Sequence, residues 1–440
     1  MTPTSQRPVR SGFDRWGIPI LAVGSLLPLF WCLPDFRALF WFGDEWDQLD
    51  QISTHGFAHW TLGFFGENFA PIFKLVWGSV ALGSGGSYFA LIVTVWLAHA
   101  VTVGLLGRWL RIAGFGCVGT AVAMIGFGFA AANVETLGWA VQLITVLGML
   151  FFLAAGQWQQ AREQGEGWNP RSLLVLGLLT ALSSFSFVRG ALTGLALTAA
   201  TIWSLWAKRR GPGAWIARWK VALVCLLPGL LSAGLIAKFA GGNHQHLAAA
   251  GWAPPLEYAT WYFLLNPLHR FLDVSTWGPH TTLVLGAGKI ALLYAGWRLA
   301  TPTQRALLVP LLVFDLGNAL LLGLGRHHTG LLTTTTSRYQ YVSLLATVPF
   351  VAVLVDAALA RVGSRRPLAA LIMAGATGGV SWLALSPWPA TMKSWADWRG
   401  RQGRQTLLVE LNPPATGAVP GIDFMPTTKA KELIERYRLH

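Results

Sequence analysis

Four acidic side chains, Asp44, Glu45, Asp47 and Asp50, crowd into one short stretch, "DEWDQLD". The chain of 440 residues carries only 19 acidic residues, so this density is unusual. If the stretch is helical, Asp44 and Asp47 share a face while Glu45 points elsewhere. Desolvation near a bilayer raises the pKa of crowded carboxyls, which suits a general base or a group that accepts a substrate hydroxyl. The alternative is an interfacial helix with its polar face in water, although such helices usually carry Lys and Arg there.

Three arginines stand at the ends of apolar segments: Arg189 in "FSFVRG", and Arg326 and Arg338 in "LGRHHTGLLTTTTSRY". A guanidinium group binds phosphate oxygens in pairs, and this binding strengthens away from water. We therefore expect Arg326 and Arg338 to bind an anion, with Tyr339 and His327 beside them. For Arg189 the pattern favours a side chain that extends to the lipid headgroups.

The remaining candidates are single residues. Glu135 in "NVETLGWAVQ" is the only acid of its region and is either a site residue at membrane depth or a favourable charge at a helix N-terminus. Lys74 in "FAPIFKLVW" is a weaker anion candidate. His327 is followed directly by a second histidine, and His244 and His246 lie in a Gly/Asn-rich stretch. These patterns are weak for a metal, so no metal ligand is assigned.

The elements that must position these residues are membrane helices. Hydrophobic residues make up 53% of the chain, charged residues only 12%, and the mean hydropathy is +0.49. Soluble proteins carry about 25% charged residues. Apolar runs long enough to cross a bilayer, about 20 residues each, recur along the chain. The sequence predicts an all-α polytopic membrane protein with about eleven transmembrane helices, at 16–34, 86–107, 112–131, 137–157, 172–188, 190–206, 219–240, 281–300, 305–323, 340–361 and 367–386.

The basic residues predict the orientation of this bundle. More than half of the 33 Lys and Arg residues fall on the side that holds the N-terminus, which is therefore expected in the cytoplasm. This bias explains the net charge of +14 without nucleic acid. The outer side then holds a first loop, 35–85, with surface helices, a second large loop, 241–280, and a short tail, 387–440, after the transmembrane module 1–386. The cytoplasmic loops are short, so we expect chemistry on the outer face.

The ordered motifs "DEWDQL", "ENFAPIFKLVW", "NVETLGWAVQ" and "GRHHTGLLTTTTSRY" resemble the GT-C superfamily of integral-membrane glycosyltransferases over nearly the whole chain. Asp44 and Glu45 match the acidic pair in the first outer loop of protein O-mannosyltransferases. The motifs are also similar to those of a set of poorly characterised bacterial membrane proteins. The resemblance implies inverting transfer of a sugar from a polyprenyl-phosphate carrier, such as undecaprenyl phosphate, to a glycan or lipid hydroxyl. It places the active site outside the bacterial cytoplasmic (inner) membrane, in the cell envelope.

The resemblance also implies roles for the candidate residues. Asp44 would deprotonate the acceptor, and Glu45 or Asp47 would assist or orient it. The other candidates would bind the lipid phosphate and the sugar. They are Arg326, Arg338, Arg189, Lys74, His327, Tyr339 and Glu135. The Asp-x-Asp motif of metal-dependent members is missing, so a divalent metal ion stays open as a cofactor and none is assigned.

Two other functions fit the same membrane class. A flippase or transporter of polyprenyl-linked lipids predicts charged or broken helices near mid-membrane and a repeat between halves. Only Lys289 and Asp315 clearly lie deep, and no repeat is visible. An O-antigen ligase or polymerase normally needs one large outer loop late in the chain, whereas here the early loop carries the acids.

Overall fold

The computed structural model describes residues 12–64, 68–165, 167–207, 212–239, 251–274, 278–363, 365–411 and 427–439. Within these ranges the chain is helical and contains no β-strand, which confirms the all-α prediction. His244 and His246 lie outside the described residues. The α-helices span Ile18–Gly24, Leu27–Trp31, Leu33–Arg37, Asp44–His55, Phe57–Leu62, Pro71–Gly83, Tyr88–Ile112, Cys117–Gly128, Val134–Leu137, Leu143–Gln164, Pro170–Ser184, Leu192–Ala207, Pro212–Phe239, Ala253–Leu265, Leu268–Phe271, Pro279–Leu299, Pro302–Arg326, Gln340–Val362, Arg366–Leu385, Trp388–Leu411 and Thr427–Tyr437.

Nine helical segments of the described ranges are long and apolar enough to cross a membrane, and each coincides with a predicted span. They are Phe13–Trp31, Tyr88–Ile112, Cys117–Leu137, Ala140–Gln164, Val188–Ala207, Arg218–Phe239, Pro302–Thr329, Ser337–Val362 and Arg366–Arg399. The protein is therefore a multi-pass membrane protein.

Two of the eleven predicted spans are not among these nine. Pro170–Ser184 is apolar but has only 15 residues. At 1.5 Å per residue it reaches about 22 Å, short of the roughly 30 Å hydrocarbon core. Pro279–Leu299 has 21 residues, but Lys289 and other polar residues lower its hydropathy. Both segments are helices, as predicted, and they differ from the other nine in length or polarity.

The helices divide into an interior and a periphery. Cys117–Gly128 packs against Gln340–Val362, and Leu143–Gln164 packs against Tyr88–Ile112, so these four lie in the interior. Arg366–Leu385 lies at the periphery, and its apolar side chains point outward, with Trp382 72% exposed. Outward-facing apolar side chains are expected where a helix meets lipid.

One end of the bundle, here called the site end, carries the segment predicted as the first outer loop. Three helices form this loop: Asp44–His55, called the acidic helix below, Phe57–Leu62 and Pro71–Gly83. The C-terminal helix Thr427–Tyr437, called the tail helix, packs against the acidic helix. The side chain of Leu433 is fully buried there. The C-terminal segment and the acidic cluster therefore lie at the same end, as the odd number of predicted spans requires.

The second predicted outer loop, 241–280, is only partly a loop. Residues 241–250 are outside the described ranges. The helix Ala253–Leu265 packs against Pro302–Arg326 and buries Tyr258 and Tyr262 completely. This part of the segment is a packed element of the bundle.

The opposite end of the bundle is closed by ion pairs across short connections. Nε of Arg111 lies 2.6 Å from the Asp14 carboxylate. Nε of Arg218 lies 3.0 Å from the Glu163 carboxylate. Most of the predicted site residues lie at the other end of the bundle, the site end.

Candidate functional site

The acidic helix begins at a turn that requires glycine. Gly43 has a φ of +54° and a ψ of −125°, a conformation that other residues adopt only with strain. Asp44, Glu45 and Asp47 form the first turn that follows. Free N–H groups at a helix N-terminus favour negative charge. The local sequence therefore holds Asp44 at the exposed start of the helix.

Asp44 lies within electrostatic range of two arginines from a distant part of the chain. Its side chain is accessible, yet the surrounding protein excludes enough water to raise the pKa of its carboxyl above the usual value. The guanidinium charges of Arg338 and Arg326 oppose this rise. Asp44 is thus an accessible carboxylate within electrostatic range of two cations, with a pKa shifted toward the range of a general base.

Asp47 is the second exposed carboxylate of this turn. Burial raises the pKa of Asp47, and the like charges of Asp44 and Asp50 raise it further. Nε2 of Gln51 donates a hydrogen bond to the Asp47 carboxylate at 2.9 Å, which opposes this rise. Asp50 is itself paired with Lys429 of the tail helix at 3.2 Å. The carboxylates of Asp44 and Asp47 therefore influence each other on one side of the helix.

Glu45 points the other way and is completely buried. Its carboxylate accepts hydrogen bonds from the backbone N–H of Phe42 at 2.9 Å, the backbone N–H of Val141 at 3.1 Å and the hydroxyl of Tyr88 at 3.1 Å. Burial raises the pKa of Glu45 to about 7, against the opposing charge of Arg399. Glu45 therefore fastens the start of the acidic helix to the bundle and does not face the arginines beside Asp44.

Arg338 is held in place by Glu135. Its backbone N–H donates to one Glu135 oxygen at 3.0 Å, and Nη1 donates to the other at 3.2 Å. The guanidinium carbon lies 5.8 Å from the ring centre of Trp139 and 5.2 Å from that of Tyr339. Glu135 is 7% exposed, so the pair is shielded from solvent on the Glu135 side. Two residues that are 203 positions apart thus form one unit.

Arg189 approaches the same place from a third segment. Its guanidinium stacks near Tyr339, 5.3 Å from the ring centre, and near Phe187 at 4.8 Å. It also lies within electrostatic range of Arg326 and Arg338. Nη1 of Arg189 is buried and has no hydrogen-bond partner among the described residues. Arg189 and Arg338 therefore lie near Tyr339, and Arg326 is within electrostatic range of Arg189, a concentration of positive charge that favours an anion.

Arg326 lies at the last position of the helix Pro302–Arg326 and is exposed. The partial negative charge of a helix C-terminus stabilises a cation there. The next residue, His327, uses Nδ1 in a 3.0 Å contact with the carbonyl of Gly323 and so closes the helix end. His327 is therefore beside the cluster but engaged in the helix.

Lys74 is not part of the cluster. It is completely buried, and its ammonium group donates to three backbone carbonyls at 2.8, 3.1 and 3.4 Å, those of Trp60, Gly63 and Phe64. Burial lowers the pKa of Lys74 to about 8. An ammonium group has three protons. All three are used to hold the helix Pro71–Gly83 against the preceding turn, so we do not retain Lys74 as a phosphate ligand.

A buried polar network supports the segment that carries Arg338. Nζ of Lys289 lies 3.3 Å from the carboxylate of Asp315 and donates to Ser343 at 3.1 Å. The hydroxyl of Tyr262 lies 3.3 Å from the other Asp315 oxygen and 3.1 Å from the carbonyl of Tyr339. The two charges deep in the bundle therefore neutralise each other and anchor the backbone beside Arg338.

Two important side chains escaped prediction from the sequence. Arg399 is 2% exposed and reaches Glu45 and Tyr88 beneath the acidic helix. Tyr88 begins a long apolar helix, where an aromatic residue is ordinary. The one signal for Arg399 was its apolar setting among Trp395 and Trp398 in an otherwise polar tail.

No group of three His, Cys, Asp or Glu side chains in the described ranges is arranged to hold a metal ion. The arginine-rich cluster supplies donors and cations rather than metal ligands.

No protein-family profile matches this sequence, and no curated protein is detectably similar to it. Among solved structures, the chain is similar to ArnT from Cupriavidus metallidurans bound to undecaprenyl phosphate. The identity is 14% and the TM-score 0.44, over 97% of this chain and 76% of that chain. A similarity this distant does not by itself establish a function.

Proposed function

We propose that the protein transfers a sugar from a polyprenyl-phosphate carrier to a hydroxyl acceptor. The observation that supports this proposal is the cluster at the site end, where the carboxylate of Asp44 lies within electrostatic range of the guanidinium groups of Arg326 and Arg338. The reaction needs a base for the acceptor and positive charge for the departing phosphate. The cluster offers both within one region.

In the proposed reaction, the acceptor oxygen attacks the anomeric carbon, and the bond from that carbon to the phosphate oxygen breaks. The hydroxyl proton moves to Asp44, and the bonding electrons leave with the phosphate. Attack opposite the departing group inverts the anomeric centre. The raised pKa of Asp44 makes it a stronger base than an ordinary aspartate, and its arginine neighbours keep it ionised. Asp47 assists from the same turn, while Glu45 orients the helix.

The phosphate is bound by Arg326, Arg338 and Arg189 in this proposal. Glu135 occupies Nη1 of Arg338 and orients the rest of the guanidinium. Nη1 of Arg189 is available, because it has no hydrogen-bond partner among the described residues. Tyr339 lies under two of these cations and forms a wall for the sugar.

A lipid-linked donor fits the surroundings of this cluster. The helices around it are apolar enough to lie in a bilayer, where the polyprenyl chain of the donor would also lie. The sequence has no phosphate-binding loop for a nucleotide sugar. With the N-terminus in the cytoplasm, as the basic residues predict, the cluster faces outward from the bacterial cytoplasmic membrane.

A transporter of the same lipid is less well supported. Such a protein would use ionisable residues near mid-membrane as part of a pathway. Lys289 and Asp315, the two deep charges, are instead paired with each other and completely buried.

The proposal is tested with purified protein in lipid nanodiscs and a panel of radiolabelled polyprenyl-phosphate sugars, with polyprenyl-diphosphate glycans included. We expect turnover of at least one polyprenyl-phosphate sugar, and its loss in Asp44→Asn and Arg338→Ala. Glu257→Gln removes an exposed carboxylate of another helix and serves as the control that keeps full turnover. Equal turnover by the wild type and Asp44→Asn would eliminate Asp44 as the base. Turnover of diphosphate donors alone would favour a ligase. Translocation of the lipid without release of the sugar would favour a flippase.

A further inference from the structure

Arg399 lies beneath the start of the acidic helix. It belongs to the helix Trp388–Leu411, which follows the last apolar span, and it is 2% exposed. Its Nη2 donates to the hydroxyl of Tyr88 at 2.8 Å and to the carbonyl of Phe40 at 3.4 Å. The same nitrogen lies 3.8 Å from the Glu45 carboxylate. A C-terminal arginine is therefore buried within the first outer loop.

The environment of this guanidinium compensates for part of its burial, while its Nε and Nη1 have no hydrogen-bond partner among the described residues. A buried charge is unfavourable unless it is paired or bonded. The guanidinium carbon lies 3.9 Å from the ring centre of Phe42, and the rings of Trp139 and Trp395 are 5.9 and 5.6 Å away. These contacts supply cation–π attraction on several sides, and Glu45 supplies the opposite charge. Nη2 and the surrounding rings thus hold the guanidinium beneath the start of the acidic helix.

The polar groups that Arg399 contacts belong to, or brace, the turn that positions Asp44. Phe40 and Phe42 lead into the turn, and Glu45 follows it. Tyr88 bonds both Arg399 and Glu45, so it joins the two. Asp44 lies between these fixed points, and the charges that lower the pKa of its carboxyl are those of Arg338 and Arg326.

We propose that Arg399 is a positioning residue, which neutralises Glu45 and thereby holds the turn at 40–45 so that Asp44 faces Arg326 and Arg338. This inference rests on the proposed function for its catalytic consequence. The remaining contacts of the C-terminal segment agree with such a role. Lys429 pairs with Asp50 at 3.2 Å, and Nη1 of Arg436 donates to Ser53 at 2.6 Å. The C-terminal segment therefore contacts the acidic helix at its start and along its length.

The kinetic test uses the full-length protein in nanodiscs with the polyprenyl-phosphate sugar that the wild type turns over. A misplacement of about 1 Å lowers turnover about 100-fold. We expect kcat to fall about 10–100-fold in Arg399→Gln, with the KM for the donor within about threefold, since Arg399 does not touch the phosphate site. The double variant Glu45→Gln/Arg399→Gln removes the buried charge that needs neutralising, so it should recover part of the lost kcat. Lys393→Gln, an exposed cation on the same helix, is the control.

A second measurement is independent of sugar transfer. Hydrogen–deuterium exchange of the peptide 40–50 should be faster in Arg399→Gln than in the wild type and unchanged in Lys393→Gln. Arg399→Lys keeps the positive charge but loses the planar guanidinium group. This variant replaces Arg399→Gln in both measurements if the glutamine variant does not fold. Unchanged exchange at 40–50, or full kcat in a folded Arg399 variant, would overturn the positioning role. If the wild type transfers no sugar but exchange still rises, the proposed function fails and the structural role of Arg399 stands.

Discussion

Replacing Arg189 with glutamine should weaken the binding of a lipid phosphate and leave the fold about as stable as before. This combination is unusual for a buried arginine. It is expected here because Nη1 of Arg189 has no hydrogen-bond partner among the described residues, while its guanidinium faces the positive charges of Arg326 and Arg338. A glutamine at this position therefore gives up no hydrogen bond recorded in the structure.

The magnitudes follow from these contacts. A hydrogen bond from a charged donor to phosphate contributes about 1.5–3 kcal/mol, and each 1.4 kcal/mol is about a tenfold change in Kd. The Kd for the phosphate should thus rise about 10–100-fold. Removal of Arg189 also loses its stacking on Phe187 and Tyr339, about 0.5–1 kcal/mol each. Relief of charge repulsion and desolvation offsets that loss, so the free energy of unfolding should change by no more than about 1 kcal/mol.

Arg218 provides the matched control. It is also a partly buried arginine, but its guanidinium makes two contacts with Glu163, at 3.0 and 3.1 Å. Removing one partner of a shielded ion pair costs about 3 kcal/mol. Arg218→Gln should therefore lower the unfolding temperature clearly and leave the Kd for phosphate unchanged, because it lies at the opposite end of the bundle.

The two variants are compared by calorimetric titration with a short-chain prenyl phosphate and by thermal unfolding followed through tryptophan fluorescence. Phosphate affinity in Arg189→Gln equal to that of the wild type would refute the anion site. So would a loss of affinity accompanied by a loss of stability as large as that of Arg218→Gln, since Arg189 would then act through the fold.

Three further outcomes are expected. Asp44→Asn should lower the rate of sugar transfer about 100- to 10,000-fold while prenyl phosphate still binds. The wild-type rate should fall as the pH drops through the raised pKa of Asp44, and a flat pH–rate profile would contradict this. Burial raises the pKa of Glu45 from 4.5 to about 7, so the stability it contributes is fully present below 4.5 and is lost as the pH rises through about 7. Thermal unfolding of Glu45→Gln should therefore depend less on pH in this window than that of the wild type, and equal slopes would disprove the shift. Lys74→Met leaves three carbonyls without their donor, so the unfolding temperature of this variant should fall with no change in the Kd for prenyl phosphate. An unchanged unfolding temperature with a higher Kd would instead make Lys74 a phosphate ligand.

The sequence could predict the helices because bilayer spans are encoded locally. Each of the nine long apolar helices contains a predominantly hydrophobic run, and hydrophobic length is the main requirement for crossing. The prediction was less accurate where length and polarity conflict. Pro170–Ser184 is apolar but short, and Pro279–Leu299 is long but carries Lys289. The packed helix Ala253–Leu265 was taken for loop because two prolines and several polar residues interrupt its apolar pattern.

Some residues of the proposed site stand out in the sequence because charge is rare in such a chain. Asp44, Arg326 and Arg338 stand out as ions at span ends, and helix periodicity separates Glu45 from the face of Asp44. The same reasoning overvalued Lys74, because sequence does not reveal that nearby carbonyls will use all its protons. It gave Arg189 little weight as an anion ligand, because the rings of Phe187 and Tyr339 around it and its unpartnered Nη1 are visible only in the structure.

The contact between Arg399 and Glu45 shows why the remaining site residues were out of reach. Arg399 bonds Tyr88 across 311 positions and belongs to a tail in which arginine is common. Local pattern does not distinguish it from its basic neighbours. What distinguishes it is the space left by Phe42, Trp139 and Trp395, which comes from three separate segments. A buried countercharge is specified by the assembled packing, so the partner of an inward-facing carboxylate has to be sought in structure even when the carboxylate itself is obvious in sequence.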